Sequence, residues 1–285
     1  MRTTRMTTTV LRLGRRRGLI ELRQSLTNAA DIWNHCFWPT LMLVTLYFLR
    51  AHSFRDTGFA LGALALPSIL GMNASMAMVT MSQQLTADRD DGTLLRAKAI
   101  PNGIRVYLIS RVISVSGGLL VDLAIFLLPG LVLIGGLSLD RPADWLWLAC
   151  VLGLGLLATL PIGAVLGSVF GSARSQGLLT LPILGLIGIS GVFYPITALP
   201  GWLRELAQLF PVYWTGLGMR AALLPSQAAR IEIGGTWRQG ETVVVLLAWA
   251  MAGMALAPSV LRRMARRESG SRLSERKERA LRRTR

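Results

Sequence analysis

Two uninterrupted apolar stretches set the terms for this chain. Residues 58–81 carry no charge over 24 positions and residues 145–170 none over 26. At about 1.5 Å per helical residue, either stretch reaches across a hydrocarbon core of about 30 Å. No water reaches peptide groups inside lipid, so only helices and closed barrels cross it. Barrel strands alternate lipid-facing and lumen-facing residues, and these runs do not alternate. The expected fold is therefore an all-α polytopic membrane protein. Its six transmembrane helices are expected at 32–50, 58–81, 109–136, 145–170, 177–194 and 242–260. A composition of 52% hydrophobic and 16% charged residues agrees, lying outside the balance of a soluble domain.

The net charge of +16 raises the question of nucleic acid. Its distribution answers with topology instead. With the N-terminus inside, 23 of the 31 Lys and Arg residues fall on the cytoplasmic side. Retained positive charge sets orientation, so the expected arrangement is N-in/C-in in a cytoplasmic membrane of bacterial type. The basic tail 262–285 is expected to anchor that topology and attract anionic lipid. No aromatic-basic motif supports nucleic-acid binding.

Residues 1–18 are rich in Thr and Arg without periodicity and are expected to be disordered. From Leu19 onward, Leu22, Leu26, Ala29 and Trp33 recur at helical spacing between polar residues, which predicts an interfacial helix on the inner surface. The membrane domain then runs over 19–261. Gly163, Gly167 and Gly171 form a small-residue ladder that favours close helix contacts within the chain over a dimer seam. Beyond the fifth span, Tyr194, Pro195, Pro200 and Trp202 mark a Pro-bracketed amphipathic segment. It is expected at the outer surface, as a re-entrant gate or a cap on the bundle.

Several chemistries are missing. Lys98 and Lys277 are the only lysines, and neither follows the glycine of a phosphate-binding loop. No Cys/His cluster offers a metal site. Gly188-Ile-Ser190-Gly191 reproduces the pattern around an intramembrane protease nucleophile, yet no histidine follows His52 to act as its base. Buried polar groups in spans are costly, so those present are candidates for function. Asp122, with Asn73, Met72 and Met76, forms the candidate substrate path. Arg111, eleven residues before Asp122, is expected on the same helical face but beyond reach of a simple salt bridge.

A charged segment separates the second and third spans: Asp88-Arg89-Asp90-Asp91-Gly92-Thr93-Leu94-Leu95-Arg96-Ala97-Lys98-Ala99-Ile100-Pro101. Gly92 ends the preceding helix and Thr93 caps a new one, which Pro101 and Gly103 close. Leu94 and Leu95 are expected to face a partner, with Arg96 and Lys98 solvated. A short helix held between two spans can pass a push to both.

This segment resembles the E-R-E-x-G-T-L-x-R-L-x-x-x-P loop of ABC-2 type exporter permeases. The likeness extends to Ser190-Gly191-Val192-Phe193-Tyr194-Pro195-Ile196-Thr197-Ala198-Leu199-Pro200-Gly201-Trp202-Leu203 and to Gln208-Leu209-Phe210-Pro211, over about residues 19–260. The antibiotic-resistance branch looks most similar. The resemblance implies a membrane subunit without enzymatic activity, moving an amphipathic drug, antibiotic or lipid-like compound. ATP and magnesium would bind a separate ATP-hydrolysing subunit, with a second permease copy completing a homodimer or heterodimer. It implies that Asp88, Arg89, Asp90, Asp91, Gly92, Thr93, Leu94 and Arg96 form the ATPase-coupling loop. Asp stands here where the family often has Glu, a shorter side chain that alters contact geometry. The alternative is a proton-coupled secondary transporter using Asp122.

Overall fold

The computed structural model describes residues 2–50, 61–170, 173–191 and 196–267, and among them every regular element is a helix. The chain forms α1 (Arg2–Ser25), α2 (Ala29–Leu49), α3 (Leu61–Asp90), α4 (Thr93–Lys98) and α5 (Gly103–Leu133). It continues through α6 (Pro142–Val169), α7 (Ala173–Ile189), α8 (Gly201–Leu209), α9 (Pro211–Leu223) and α10 (Gln239–Arg267). Four of these, α3, α5, α6 and α10, are long and apolar enough to cross a membrane. The second and seventh helices lie where the first and fifth spans were expected. The 21-residue α2 and the shorter apolar stretch Thr180–Ile189 of α7 fall outside those four.

The third helix occupies the centre. It packs on α6, α9, α5 and α7, and its most apolar stretch is largely buried. Glycines set how closely it meets two of these neighbours. A methyl group at Gly163 of α6 would collide with the Met78 carbonyl oxygen, and one at Gly167 would lie 2.7 Å from the Ser82 carbonyl oxygen. The ladder therefore packs within the chain, as expected for Gly163 and Gly167; Gly171 lies outside the described residues. On another face of α3, a methyl at Gly71 would stand 2.7 Å from the Gly216 Cα of α9. Backbones this close gain dispersion contacts that larger side chains would forbid.

The N-terminal helix departs from expectation in three ways. Residues 2–18 are helical, continuous with the rest of α1. The buried face is not the one marked by Leu19 and Leu26, which are exposed. Gly14 and Gly18 are buried instead, against Ile109 and Ile113 of α5, and Leu22 packs on Gly117. These pairs ascend together, so α1 runs parallel to α5 along its length. Glycine adds nothing to an apolar count, so the i, i+4 stripe of Gly14, Gly18 and Leu22 was hidden. The helix also stops before Leu26: Asn28 accepts a hydrogen bond from the Ala30 amide and starts α2.

Candidate coupling and gating sites

At the end of the bundle that carries α4, a polar clamp joins three helices. Asp88, in the last turn of α3, is only 5% exposed. Arg111 of α5 grips it with both branches of its guanidinium, Nε to Oδ2 at 2.5 Å and Nη2 to Oδ1. The Tyr107 hydroxyl, one turn earlier on α5, donates to the same Oδ2 at 2.6 Å. Glu21 of α1 lies 3.5 Å from Arg111 Nη1 and accepts from Arg17 Nε at 2.8 Å. Bidentate, charge-assisted bonds of this kind repay desolvation only when the remaining polar atoms are also met. Both Asp88 oxygens are met; Glu21 Oε2, at the edge of the clamp, is buried and has no hydrogen-bond partner among the described residues, only its ion pair with Arg111.

The clamp sets the position of α4. Gly92 adopts the left-handed conformation at φ 82°, which turns the chain sharply after α3. Asp91 Oδ1 accepts from the Thr93 amide at 2.7 Å and so starts the short helix. Arg96 then donates to the Thr93 hydroxyl at 2.9 Å. Leu94 points inward: it is 1% exposed and belongs to the main core. Asp88 and Leu94 are therefore fixed to their own bundle, which corrects the expectation that Leu94 faces a partner. Asp90, Asp91 and Arg96 stay exposed, with Lys98 and Ile100 beside them, while Arg89 and Thr93 are half-buried. A predominantly charged ridge is held on two spans by a buried leucine and an ion-pair clamp.

The candidate path residues do not converge. Met72 and Met76 pack against a cluster that includes Ile183 and Ile187 of α7 and Val212 of α9, and Asn73 is half-buried beside them in sequence. Asp122 faces another neighbour. It pairs with His35 Nδ1 of α2, and His35 Nε2 lies 3.0 Å from the Ser25 hydroxyl at the end of α1. Arg111 and Asp122 thus serve separate contacts. Ser190, buried, donates its hydroxyl to the Ile187 carbonyl at 2.6 Å, the usual fate of a serine in an apolar helix.

The opposite end holds a second ion pair that sequence reasoning missed. Arg220 of α9 donates from Nε to Glu232 Oε1 at 2.7 Å, with both side chains almost fully buried. Its Nη1 donates to the Gly191 carbonyl at 3.2 Å, tying α9 to the end of α7. Among the described residues, Arg220 Nη2 and Glu232 Oε2 have no hydrogen-bond partner. The ninth helix is buried along its length, with Val212 near Met78 and Gly216 beside Gly71. Its far end meets the α5–α6 turn, where the Ser138 amide donates to the Leu223 carbonyl. The ninth helix thus runs from within the bundle to the end opposite α4. Its signal was the one arginine in an otherwise uncharged stretch, which needed an acid nearby. Of the expected gate residues, Pro200 precedes α8 and Trp202 is 67% exposed, whereas Tyr194 and Pro195 lie outside the described residues.

No curated protein matches the chain. The sequence model of the ABC-2 type transporter family matches residues 19–224, more than half of it. That span includes the clamp, α4 and α9, and the chain belongs to the ABC-2 type transporter family.

Proposed function

We propose that this chain is the transmembrane permease subunit of an ATP-driven exporter, moving an amphipathic small molecule of drug, antibiotic or lipid-like character. ATP and magnesium bind a separate subunit, and two permease subunits, identical or related, form the transporter. The observation that carries the proposal is α4, held rigidly between α3 and α5 with its charged ridge outward. The side chains offered to the ATPase are Asp90, Asp91 and Arg96, with Gly92 and Thr93 shaping the turn. Asp88 and Leu94 transmit displacement into α3 and α5 instead of touching the partner.

ATP-driven closure of the partner subunits pushes on α4, and the spans move between two packed arrangements. Motion at the outer end is taken up by α8 and α9, where Arg220 and Glu232 leave two buried polar atoms unmatched. The basic α4 end faces the cytoplasm, and the protein resides in a bacterial-type cytoplasmic membrane. Transport of an amphipathic fluorescent dye into inverted membrane vesicles tests the proposal. Uptake should require ATP and the cognate ATPase, and should persist in Asp122→Asn. Uptake driven by a proton gradient without ATP, and lost in Asp122→Asn, would favour a proton-coupled carrier.

A further inference from the structure

The last helix, α10, is a single element of 29 residues, about 43 Å long at about 1.5 Å per residue. It holds the two ends of the bundle through different contacts. Near its start, Leu246 is buried in one cluster with Ala207 of α8 and Tyr213, Trp214 and Leu217 of α9. Trp249 Nε1 donates to the Leu209 carbonyl at 2.9 Å, and its ring stacks on Phe210. Toward the other end, Leu261 and Met264 are buried in the main core together with Leu94 and Ala97 of α4. Besides α3 and α5, to which it is joined, α4 packs on α10. Pro258 removes one hydrogen bond from the ladder, yet the helix continues to Arg267.

Between these contacts α10 crosses α6 closely. A methyl group at Gly253, near the middle of the helix, would stand 2.6 Å from Pro161 Cβ. A stiff rod held at its middle carries a push at one end to the other, and close-packed side chains at each contact pass the displacement on. The rod must also be free to tilt. Only 22% of the apolar stretch of α10 is buried, against 72% for α3. Val244, Met251, Met254 and Leu256 are exposed along it. Lipid is as apolar as these side chains, so tilting α10 exchanges one apolar contact for another. Tilting α3 would instead disturb its packing on α5, α6, α7 and α9.

We propose that α10 is the lever through which α4 moves the opposite end of the bundle. Leu261 and Met264 receive the displacement of α4, the Gly253–Pro161 crossing is the pivot, and Leu246 and Trp249 deliver the motion to α8 and α9. The proposal rests on the exporter reading, in which the ATPase subunit pushes on α4. It adds to α3 and α5 a third route, which joins the two ends directly.

The test uses the full chain with its ATPase subunit in liposomes and reads dye transported per ATP hydrolysed. Leu261→Ala/Met264→Ala thins the contact with α4. The complex should keep its ATPase subunit and its hydrolysis, while dye moved per ATP falls on the order of tenfold, the size of a typical coupling between sites. Ala255→Gly/Leu256→Gly softens the rod at two exposed positions and leaves both of its ends intact. It should lower the same ratio, and it gives an answer if the first variant fails to fold. Leu256→Ala keeps the helix stiff and should leave the ratio unchanged. A merely structural role for α10 would lower stability without moving the ratio. Wild-type dye per ATP in both lever variants would overturn the proposal. Loss of the ATPase subunit from folded Leu261→Ala/Met264→Ala would also overturn it, making this end of α10 a seat for α4. A wild-type complex that hydrolyses ATP without moving dye would overturn the exporter reading itself, and the lever with it.

Discussion

The two ends of the bundle each bury an arginine–carboxylate pair, and they solve the problem differently. At the α4 end, Asp88 receives both branches of Arg111 and the Tyr107 hydroxyl, so neither oxygen is left over. At the α9 end, Arg220 and Glu232 meet through one bond, and each keeps an unmatched atom. The Asp88 centre is satisfied on both oxygens, with only Glu21 Oε2 unmatched at its edge, and so fixes its helices. The Arg220–Glu232 pair is costlier to hold because both partners are left partly unmatched. A transporter needs both: a stiff end to receive force and an end whose packing can be exchanged.

The largest effect should follow from breaking the stiff end. Arg111→Met leaves Asp88 buried without its cation and should cost about 3–5 kcal/mol. Arg111→Lys keeps the charge but not the fork and should cost less. Thermal unfolding in detergent reads both, and equal stability of all three proteins would show the clamp to be loose. The next effect tests packing between the ends. Gly163→Leu forces α6 off the Met78 carbonyl and should destabilise by about 1–3 kcal/mol or more, with Gly153→Leu, in open space, as its control.

The Arg220–Glu232 pair should respond in the opposite sense to paired substitution. Removing one partner by Glu232→Leu strands the arginine and destabilises. Removing both, in Arg220→Met/Glu232→Leu, should be close to neutral or stabilising by about 1–4 kcal/mol. The same paired treatment of Asp88 and Arg111 strands the Tyr107 hydroxyl and should stay unfavourable by about 1–3 kcal/mol. Identical behaviour of the two pairs would erase the distinction drawn between them. A smaller change is expected at Asp122→Asn, whose amide still accepts from His35; the loss should be about 1 kcal/mol.

How much of this was legible in the chain depends on what each residue contributes to a pattern. Long charge-free runs announced the membrane helices, because nothing but apolar length is needed to cross lipid. Gly92 located α4, since a left-handed turn is a local event, but the cap expected of Thr93 falls to Asp91, whose carboxylate accepts the Thr93 amide. Partnerships across helices were not visible. On its own helix Arg111 has only Asp122 for an acid, whereas its partner, Asp88, sits across a helical hairpin. The stripe of Gly14, Gly18 and Leu22 carries no apolar signal at its glycines, so the sequence pattern reads as a surface helix starting only at Leu19. The buried α9 was obscured by Arg220, a residue that reads as exposed until Glu232 is placed beside it.

The smallest expected change in stability belongs to the most informative variant. Asp90→Lys/Arg96→Glu reverses two exposed charges on the α4 ridge and should alter stability by no more than about 0.5 kcal/mol. Co-purification from the native membrane in mild detergent then isolates the docking claim from folding. The wild-type chain should bring down a P-loop ATPase, and the charge-reversed chain, equally stable, should lose it. An ATPase retained at wild-type levels, or absent from a well-folded wild type, would contradict the role given to α4.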